Sequence, residues 1–206
     1  MVFAVARLRV QSYSFSFSYA NVWATFFAAD AVFCTFALDF RLVMLFRHAS
    51  IGDLESVMAV LDSARDSQRA RGFVQWADGY PSPELIRADI ESGFAFVAVD
   101  EDVIVGYAVL FGGDAEYDRM DLWQTPLPYS VVHRLAVSSA CQGRGAGRRM
   151  LAHLENEARR RGFVSMRIDT GTRNAVMHRL LQSAGYVCRG RCNFVWGERL
   201  VFEREL

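Results

Sequence analysis

The sequence has 206 residues and a balanced charge, with 23 basic residues against 23 Asp and Glu. This length suits one domain with a substantial core, and the charge balance gives no support for binding nucleic acid or a membrane surface. All basic side chains other than histidine are arginines, because the sequence contains no lysine. This excludes a Walker A phosphate loop, which requires a lysine.

Residues 1–43 differ in composition from the rest of the chain, with five charged residues and no Gly or Pro. The run 20–40 is apolar enough to suggest a membrane segment, but a central Asp such as Asp30 costs about 3 kcal/mol on insertion scales. A signal peptide fits poorly as well, because the apolar run starts late and lacks a clear cleavage site. We therefore interpret residues 1–43 as an N-terminal extension, added by an upstream start codon, and 44–206 as the domain.

The four cysteines lie too far apart for a disulfide framework, and Cys188-x-x-x-Cys192 has no His at ligand spacing. Buried or free thiols are expected rather than a zinc site, so no metal is predicted. This use of cysteine favours a reducing, cytoplasmic compartment.

The first half of the domain predicts a strand, two helices and a hairpin. Residues 45–49 form a short strand, and Ser50 with Asp53 makes a capping-box pattern that begins a helix. Gly72 ends this helix, and Ser82 begins the second one. Alternating apolar residues predict strands at 94–99 and 103–111, followed by a long loop at 112–128. Loops of that length are often functional.

The stretch 129–162 predicts a strand, a glycine-rich turn and a helix. Alternation around His133 indicates a mostly buried strand, and the turn that follows contains Gly143, Gly145 and Gly147. Such a turn leaves backbone N–H groups uncovered at the positive end of a helix, which suits a phosphate or pyrophosphate. The glycine spacing does not match the G-x-G-x-x-G register of a Rossmann turn.

The remaining elements are a strand at 164–170, a helix from Asn174 to Gly185, and strands at 186–193 and 198–203. The complete order is β-α-α-β-β-β-α-β-α-β-β. This order predicts an α/β (α+β) fold in which a mixed central sheet carries helices on both faces.

Two motifs in this order carry a family resemblance. Gln-x-x-Gly-x-Gly directly after an apolar strand resembles the acyl-CoA-binding loop of the GNAT superfamily of N-acetyltransferases. The helix that starts at Asn174 and ends in Gly185-Tyr186 resembles the family's Asn-initiated helix ending in Gly-aromatic. The element order is similar to the GNAT fold over residues 44–206, and two ordered motifs are more specific than one. The resemblance implies acetyl-CoA as co-substrate.

By the same resemblance, the central strand offers main-chain hydrogen bonds to pantetheine, the loop holds the pyrophosphate, and the later helix lies beside the pantetheine arm. The cofactor-binding residues expected on this basis are Leu135, Ala136, Val137, Gln142, Gly143, Arg144, Gly145, Ala146, Gly147, Arg148 and Asn174.

The catalytic residues are less clear, because Leu181 stands where many family members carry a tyrosine that protonates the departing thiolate. Tyr129 is expected to border the acceptor and to help in that step. His133 could act as a base or water relay, or be a hydrogen-bonded structural histidine, and both readings stay open. No base is placed beside Cys141 by the sequence, so direct transfer is expected rather than an acyl-cysteine intermediate.

Aromatic residues in loops that would border the acceptor are predicted to bind substrate, with core packing as the alternative. These residues are Trp76, Tyr80 and Trp123.

The predicted function is transfer of acetyl from acetyl-CoA to a primary amine of a small molecule or peptide. One alternative is a non-catalytic acyl-CoA sensor or interaction module on the same fold. A weaker alternative is a nucleotide-binding domain that uses the loop for another diphosphate. No nucleic acid or membrane partner is expected, and a homodimer stays open.

Overall fold

A seven-stranded sheet forms the centre of the computed structural model, which describes residues 44–76, 79–195 and 197–206. The strand order is β1-β2-β3-β4-β5-β7-β6, and every pair is antiparallel except β4 with β5. The strands are β1 (Leu45–His48), β2 (Ala95–Asp100), β3 (Val103–Phe111), β4 (Tyr129–Val137), β5 (Ser165–Gly171), β6 (Val187–Phe194) and β7 (Gly197–Glu205).

Helices cover both faces of this sheet and bury two apolar cores. The helices are α1 (Leu54–Ala70), α2 (Pro83–Glu91), α3 (Ala146–Arg160) and α4 (Ala175–Ser183). On one face, α1 and α2 place Leu61 and Ile86 against Val109 of the sheet. On the other face, α3 places Met150 and Leu154 against the opposite side. The predicted mixed sheet with helices on both faces is confirmed, and so is the predicted order of elements.

Side-chain caps at the helix starts agree with the sequence pattern. Before α1, the backbone N–H and the hydroxyl of Ser50 both donate to the carboxylate of Asp53, at 2.7 and 2.9 Å. Ser82 Oγ accepts from the N–H of Leu85 before α2. The Asn174 side chain accepts from the N–H of Met177 before α4. Each cap satisfies a donor that the helix itself leaves unpaired.

The long loop between β3 and β4 has more structure than the sequence suggested. It contains a short 3-10 turn, Tyr117–Arg119. The end of this loop is fixed by the buried carboxylate of Glu203 on β7, which accepts from the N–H groups of Gln124 and Thr125 and from the Thr125 hydroxyl. The loop is therefore tied to the sheet at the side where β4 and β5 meet.

Residues Met44–Leu206 form one compact unit. The predictions about residues 1–43, including the apolar run 20–40, lie outside the described residues. Within the part that the structure describes, no helix is both long and apolar enough to cross a membrane.

Candidate active site

The parallel strands β4 and β5 pair only over a short length. Their ladder runs from Tyr129 opposite Ser165 to Val131 opposite Arg167, and no further pairs follow. Beyond Val131 the edge of β4 that faces β5 therefore has no strand partner. A wedge opens between the two strands. One cavity, lined by both strands, lies in it, and a second opens beside it along β4.

A β-bulge in β4 shapes one wall of this wedge. The register between β3 and β4 shifts near Ala108, and Arg134 in the bulge has a φ of +55°. Its guanidinium forms a two-pronged ion pair with the buried Asp89 of α2, at 2.8 and 2.7 Å. Tyr107 also donates to Asp89, at 3.0 Å. Burial raises the pKa of Tyr107 well above its usual range, with the Asp89 charge as the next cause, so its hydroxyl stays a donor.

The glycine-rich turn lies at the start of α3, as the sequence predicts. Gly143 and Gly145 have φ values of +78° and +80°, which side chains with a Cβ adopt only with strain. The N–H groups of Gly143, Gly145 and Gly147 have no hydrogen-bond acceptor among the described residues. Together with the positive end of the α3 dipole, they can bind an anionic group.

This turn lines the first of the two cavities, which we call the loop cavity and which measures about 320 Å³. Most of the predicted cofactor-binding residues line it, and Arg144 stands exposed on the turn between them. Those lining it are Leu135, Ala136, Val137, Gln142, Gly143, Gly145, Ala146, Gly147, Arg148 and Asn174.

Gln142 holds the turn in place by contacts on two sides. Its amide nitrogen donates to the carbonyl of Val137 at the end of β4, at 3.2 Å. Its amide oxygen accepts from Ser67 on α1 and from Arg71, the residue after α1. Cys141, beside it, is a buried free thiol that also lines the loop cavity.

The second cavity, which we call the histidine cavity, measures about 520 Å³ and opens beside the first. The residues that line both are Gln68, Trp76, Leu135, Asn174 and Met177. Its wall includes the predicted substrate residues Trp76 and Tyr80 and the predicted catalytic residue His133. The structure thus brings these three together, although they come from separate parts of the chain.

Gln75 lines the histidine cavity and was not singled out from the sequence. Its side-chain oxygen accepts from the Asn174 amide at 2.9 Å, from the Thr170 hydroxyl at 3.1 Å and from the Gly171 N–H at 3.2 Å. These contacts join the segment after α1 to the end of β5 and the start of α4.

His133 is paired with a carboxylate from the β3–β4 loop. Its Nε2 lies 3.1 Å from Oδ2 of Asp114, and both side chains are about one-quarter exposed. The hydrogen bond to His133 is the main reason that the pKa of Asp114 falls below its usual range. Nδ1 of the ring has no hydrogen-bond partner within the described residues. One nitrogen is therefore oriented by a carboxylate, and the other can accept a proton.

Three further residues belong to this region and were missed by sequence reasoning. Asp169 and Arg199 line the histidine cavity. Tyr117, which is buried beneath it, donates to Asp169 at 2.7 Å. Burial, with the charge of Asp169 as the next cause, raises the pKa of Tyr117 well above its usual range. The sequence offers one signal for Asp169. It lies two residues after Arg167 in a predicted strand, so both charged side chains lie on the same face of β5.

Tyr129 lies outside the residues that line either cavity. Its hydroxyl lies 2.5 Å from the Asp118 carboxylate and 3.1 Å from both the N–H and the carbonyl of Asp114. The guanidinium of Arg167 stacks on its ring at 3.8 Å. In the structure Tyr129 fixes the loop that carries Asp114. Its direct catalytic role stays a prediction without support from this placement.

Trp123 also lies away from both cavities. Its indole N–H donates to the carbonyl of Tyr117, and its ring packs against Tyr117 and under Arg167. The alternative of core packing describes this position better than substrate contact. Leu181, at the position of the family's tyrosine, is fully buried in the core, as is Tyr186 nearby.

No cluster of His, Cys, Asp and Glu suited to a metal ion occurs within the described ranges.

Comparison with known proteins agrees with this geometry. A family model described as the Acetyltransferase (GNAT) family matches residues 60–186, which is more than half of the chain. The chain belongs to the GNAT acetyltransferase family. The resemblance inferred from the glycine turn and the Asn174 helix is thereby confirmed.

Two relatives of this GNAT acetyltransferase come from bacteria. One, from Bacillus subtilis, is described as the uncharacterized N-acetyltransferase YesJ and is 28% identical over 142 residues, covering 67% of this chain and 78% of its own. The other is an L-methionine sulfoximine/L-methionine sulfone acetyltransferase from Salmonella typhimurium, 36% identical over 90 residues. That match covers 44% of this chain and 48% of the relative.

Solved structures share the fold. A GNAT acetyltransferase from Streptococcus agalactiae superposes with a TM-score of 0.72 at 27% identity, covering 80% of this chain and 96% of its own. The PaiA N-acetyltransferase from Thermoplasma acidophilum, solved in complex with coenzyme A, gives a TM-score of 0.62 at 15% identity. That comparison covers 80% of this chain and all of the other, and at this identity it shows the shared fold alone.

Proposed function

We propose that this GNAT acetyltransferase moves an acetyl group directly from acetyl-CoA to a primary amine of a small molecule or peptide. The observation that carries the proposal is the adjacency of the two cavities. The loop cavity suits an anionic cofactor, and the histidine cavity beside it contains an imidazole held by a carboxylate. Residues shared by both walls mark where the acetyl group would pass from one substrate to the other.

The cofactor would lie along the unpaired edge of β4. Pantetheine carries amides, and an unpaired strand edge offers N–H and C=O groups at regular spacing, here around Leu135 to Val137. The pyrophosphate would bind the N–H groups of the loop from Gln142 to Arg148, with arginines of that loop adding positive charge. Asn174 would border the pantetheine arm where α4 begins.

The amine must be neutral to attack the thioester, so an ammonium must lose a proton before or during transfer. His133 Nδ1 would take this proton directly or through a water molecule, while Asp114 stabilises the imidazolium that forms. The amine nitrogen then bonds to the carbonyl carbon, the C–S bond breaks, and the CoA thiolate leaves. A main-chain N–H of β4 next to the bulge would stabilise the oxyanion.

The departing thiolate also needs a proton. Tyr129 lies outside both cavities, whereas Tyr80 lines the histidine cavity with its hydroxyl 3.5 Å from Nη1 of Arg134. Among the two tyrosines singled out from the sequence, Tyr80 is therefore the better placed to deliver this proton.

The acceptor class is supported by one relative, whose name assigns it L-methionine sulfoximine and L-methionine sulfone as acceptors. Both compounds are small and carry a primary amine. A cytoplasmic location is part of the same proposal, because Cys141, Cys188 and Cys192 are all free thiols, as expected in a reducing compartment.

The proposal is tested by measuring thiol release from acetyl-CoA with a panel of primary amines, and by identifying each N-acetyl product by mass spectrometry. Direct transfer predicts intersecting initial-velocity lines, and it predicts that Cys141→Ala keeps its activity. Parallel lines with an inactive Cys141→Ala would indicate an acyl-cysteine route instead. Absence of any acetylated amine would contradict the proposed function.

A further inference from the structure

Among the described residues that line the histidine cavity, Arg199 is the one whose charge is poorly matched by its surroundings. It lies on β7 opposite Gly171, the last residue of β5, and it lines the cavity. Only 8% of the residue is exposed, so water does little to solvate its guanidinium. A buried positive charge normally has a close anionic partner.

The contacts of Arg199 fall short of such a partner. Its Nε lies 3.5 Å from Oδ2 of Asp169, which is long for a charged hydrogen bond, and Asp169 also accepts from Tyr117. Its Nη1 is buried and has no hydrogen-bond partner within the described ranges. Buried donors are nearly always paired, so this one points to a group that enters the cavity from outside.

A carboxylate is the group that best fits a guanidinium fork, because its two oxygens match two parallel N–H donors. Of the other charged groups that line the cavity, Arg134 is paired with Asp89, and His133, held by Asp114, suits an amine. We propose that the acceptor is an amino acid or a close analogue, with its carboxylate on Arg199 and its amine toward His133. This inference rests on the proposed function and narrows the acceptor to one class.

The opposite class of acceptor is a polyamine or another purely cationic amine. Such a molecule would place positive charge against Arg199 and would leave Nη1 without a partner. The two classes of acceptor therefore differ in whether the molecule carries a carboxylate that can reach Arg199. Pairs of substrates that differ only in this carboxylate can test the distinction.

The experiment compares L-amino acids, including L-methionine sulfone, each with the primary amine that lacks only the α-carboxylate. The full-length protein is assayed for thiol release and N-acetyl product. At least one amino acid should be acetylated with a kcat/KM at least about tenfold above that of its decarboxylated counterpart, since each tenfold corresponds to about 1.4 kcal/mol. Decarboxylated amines used equally well, or better, would overturn the inference while leaving the proposed function intact.

Two variants make the test specific to Arg199. In Arg199→Gln, kcat/KM for the amino acid should fall at least about tenfold, while that for the decarboxylated amine and the Kd for acetyl-CoA stay unchanged. Arg199→Lys keeps the positive charge but lacks the guanidinium fork. Its kcat/KM for the amino acid should lie between the values of wild type and Arg199→Gln. An equal loss for both substrates would assign Arg199 a structural role and contradict the inference. If neither kind is acetylated but another primary amine of the panel is, the inference alone fails. If no amine is acetylated, the proposed function fails as well.

Discussion

Arg134 occupies a left-handed backbone conformation inside a strand, which costs a non-glycine residue roughly 1–2 kcal/mol. Its ion pair with Asp89, in which both side chains are less than one-tenth exposed, offsets this cost. The fork of the guanidinium and the planar carboxylate fix the side chain in one orientation. The bulge that shapes the wedge therefore depends on a residue of α2, on the far side of the strand from the cofactor loop.

We expect Asp89→Asn to lower the free energy of unfolding by about 3–5 kcal/mol, because it leaves the buried Arg134 charge unpaired. Urea unfolding checks this value, and acetyl-CoA binding to the folded fraction should also weaken as the bulge relaxes. Asp66→Asn is the matched control, since the Arg69–Asp66 pair is largely exposed and should contribute less than about 1 kcal/mol. Equal effects of the two substitutions would show that Asp89 does not hold the bulge.

Most of the predicted cofactor residues and His133 do line the two cavities, but the charged partners around them could not be found from the sequence. Asp89 lies on α2, Asp114 in the β3–β4 loop, and Asp169 and Arg199 on β5 and β7, so only the complete fold brings them to the wedge. Trp123 was expected near the acceptor because it lies in a long loop. The structure instead packs it, half-buried, against Tyr117 and beneath Arg167, contacts that no local pattern reveals.

At the level of elements the sequence was more informative, because helix starts and strand alternation are local signals. The caps at Ser50, Ser82 and Asn174 and the turn before α3 all formed where the pattern placed them. The splaying of β4 from β5 was not predictable from composition. It depends on the bulge at Arg134 and on the side chains that fill the gap.

The start of α1 gives a prediction about pH. Hydrogen bonding to Arg47, followed by bonds from Ser50, holds the pKa of Asp53 well below its usual range. A carboxyl whose pKa is lowered on folding stabilises the protein above its unfolded pKa of about 4, and this contribution is lost as the pH falls through the folded value.

Asp53→Asn should therefore destabilise the protein by about 1 kcal/mol at pH 7, a value kept small because Arg47 is 40% exposed. The difference from wild type should shrink between pH 4 and pH 3, a range of about one unit below the unfolded pKa. Urea unfolding at several pH values measures it. A difference that stays as large at pH 3 as at pH 7 would contradict the assignment.

The turn before α3 predicts a defect in cofactor binding. Gly145→Glu places bulk and negative charge against the expected pyrophosphate, and it should raise the Kd for acetyl-CoA at least about tenfold, or 1.4 kcal/mol. Calorimetry on the folded variant measures this change.

Gly162 is a matched control at the other end of α3. Gly145 and Gly162 have φ values of +80° and +83°, and a Cβ at either would meet no atom within 4 Å. Gly162→Glu thus adds the same side chain and the same backbone strain away from the loop cavity. The Gly162→Glu variant should therefore bind acetyl-CoA with the same Kd as wild type. Equal weakening in both variants would mean that strain in α3, and not the pyrophosphate, explains the loss.

At the scale of the whole molecule, residues Met44–Leu206 contain every residue assigned to the wedge and form one compact unit. We expect a chain that starts at Met44 to fold and to gain thermal stability from acetyl-CoA, as binding to the native state requires. A thermal unfolding series with increasing acetyl-CoA measures this. Aggregation, or loss of the stabilisation shown by the full chain, would indicate that residues 1–43 contribute to the domain.

In the proposed mechanism, the amine loses its proton to His133 in the cavity beside the cofactor. The most direct test is the pH dependence of kcat for wild type and His133→Ala, with the best acceptor of the amine panel. The variant should lose about 10²-fold or more at neutral pH, recover as hydroxide becomes available, and bind acetyl-CoA as tightly as wild type. A profile that keeps both its shape and its height in the variant would remove His133 from the mechanism and leave solvent water as the proton acceptor.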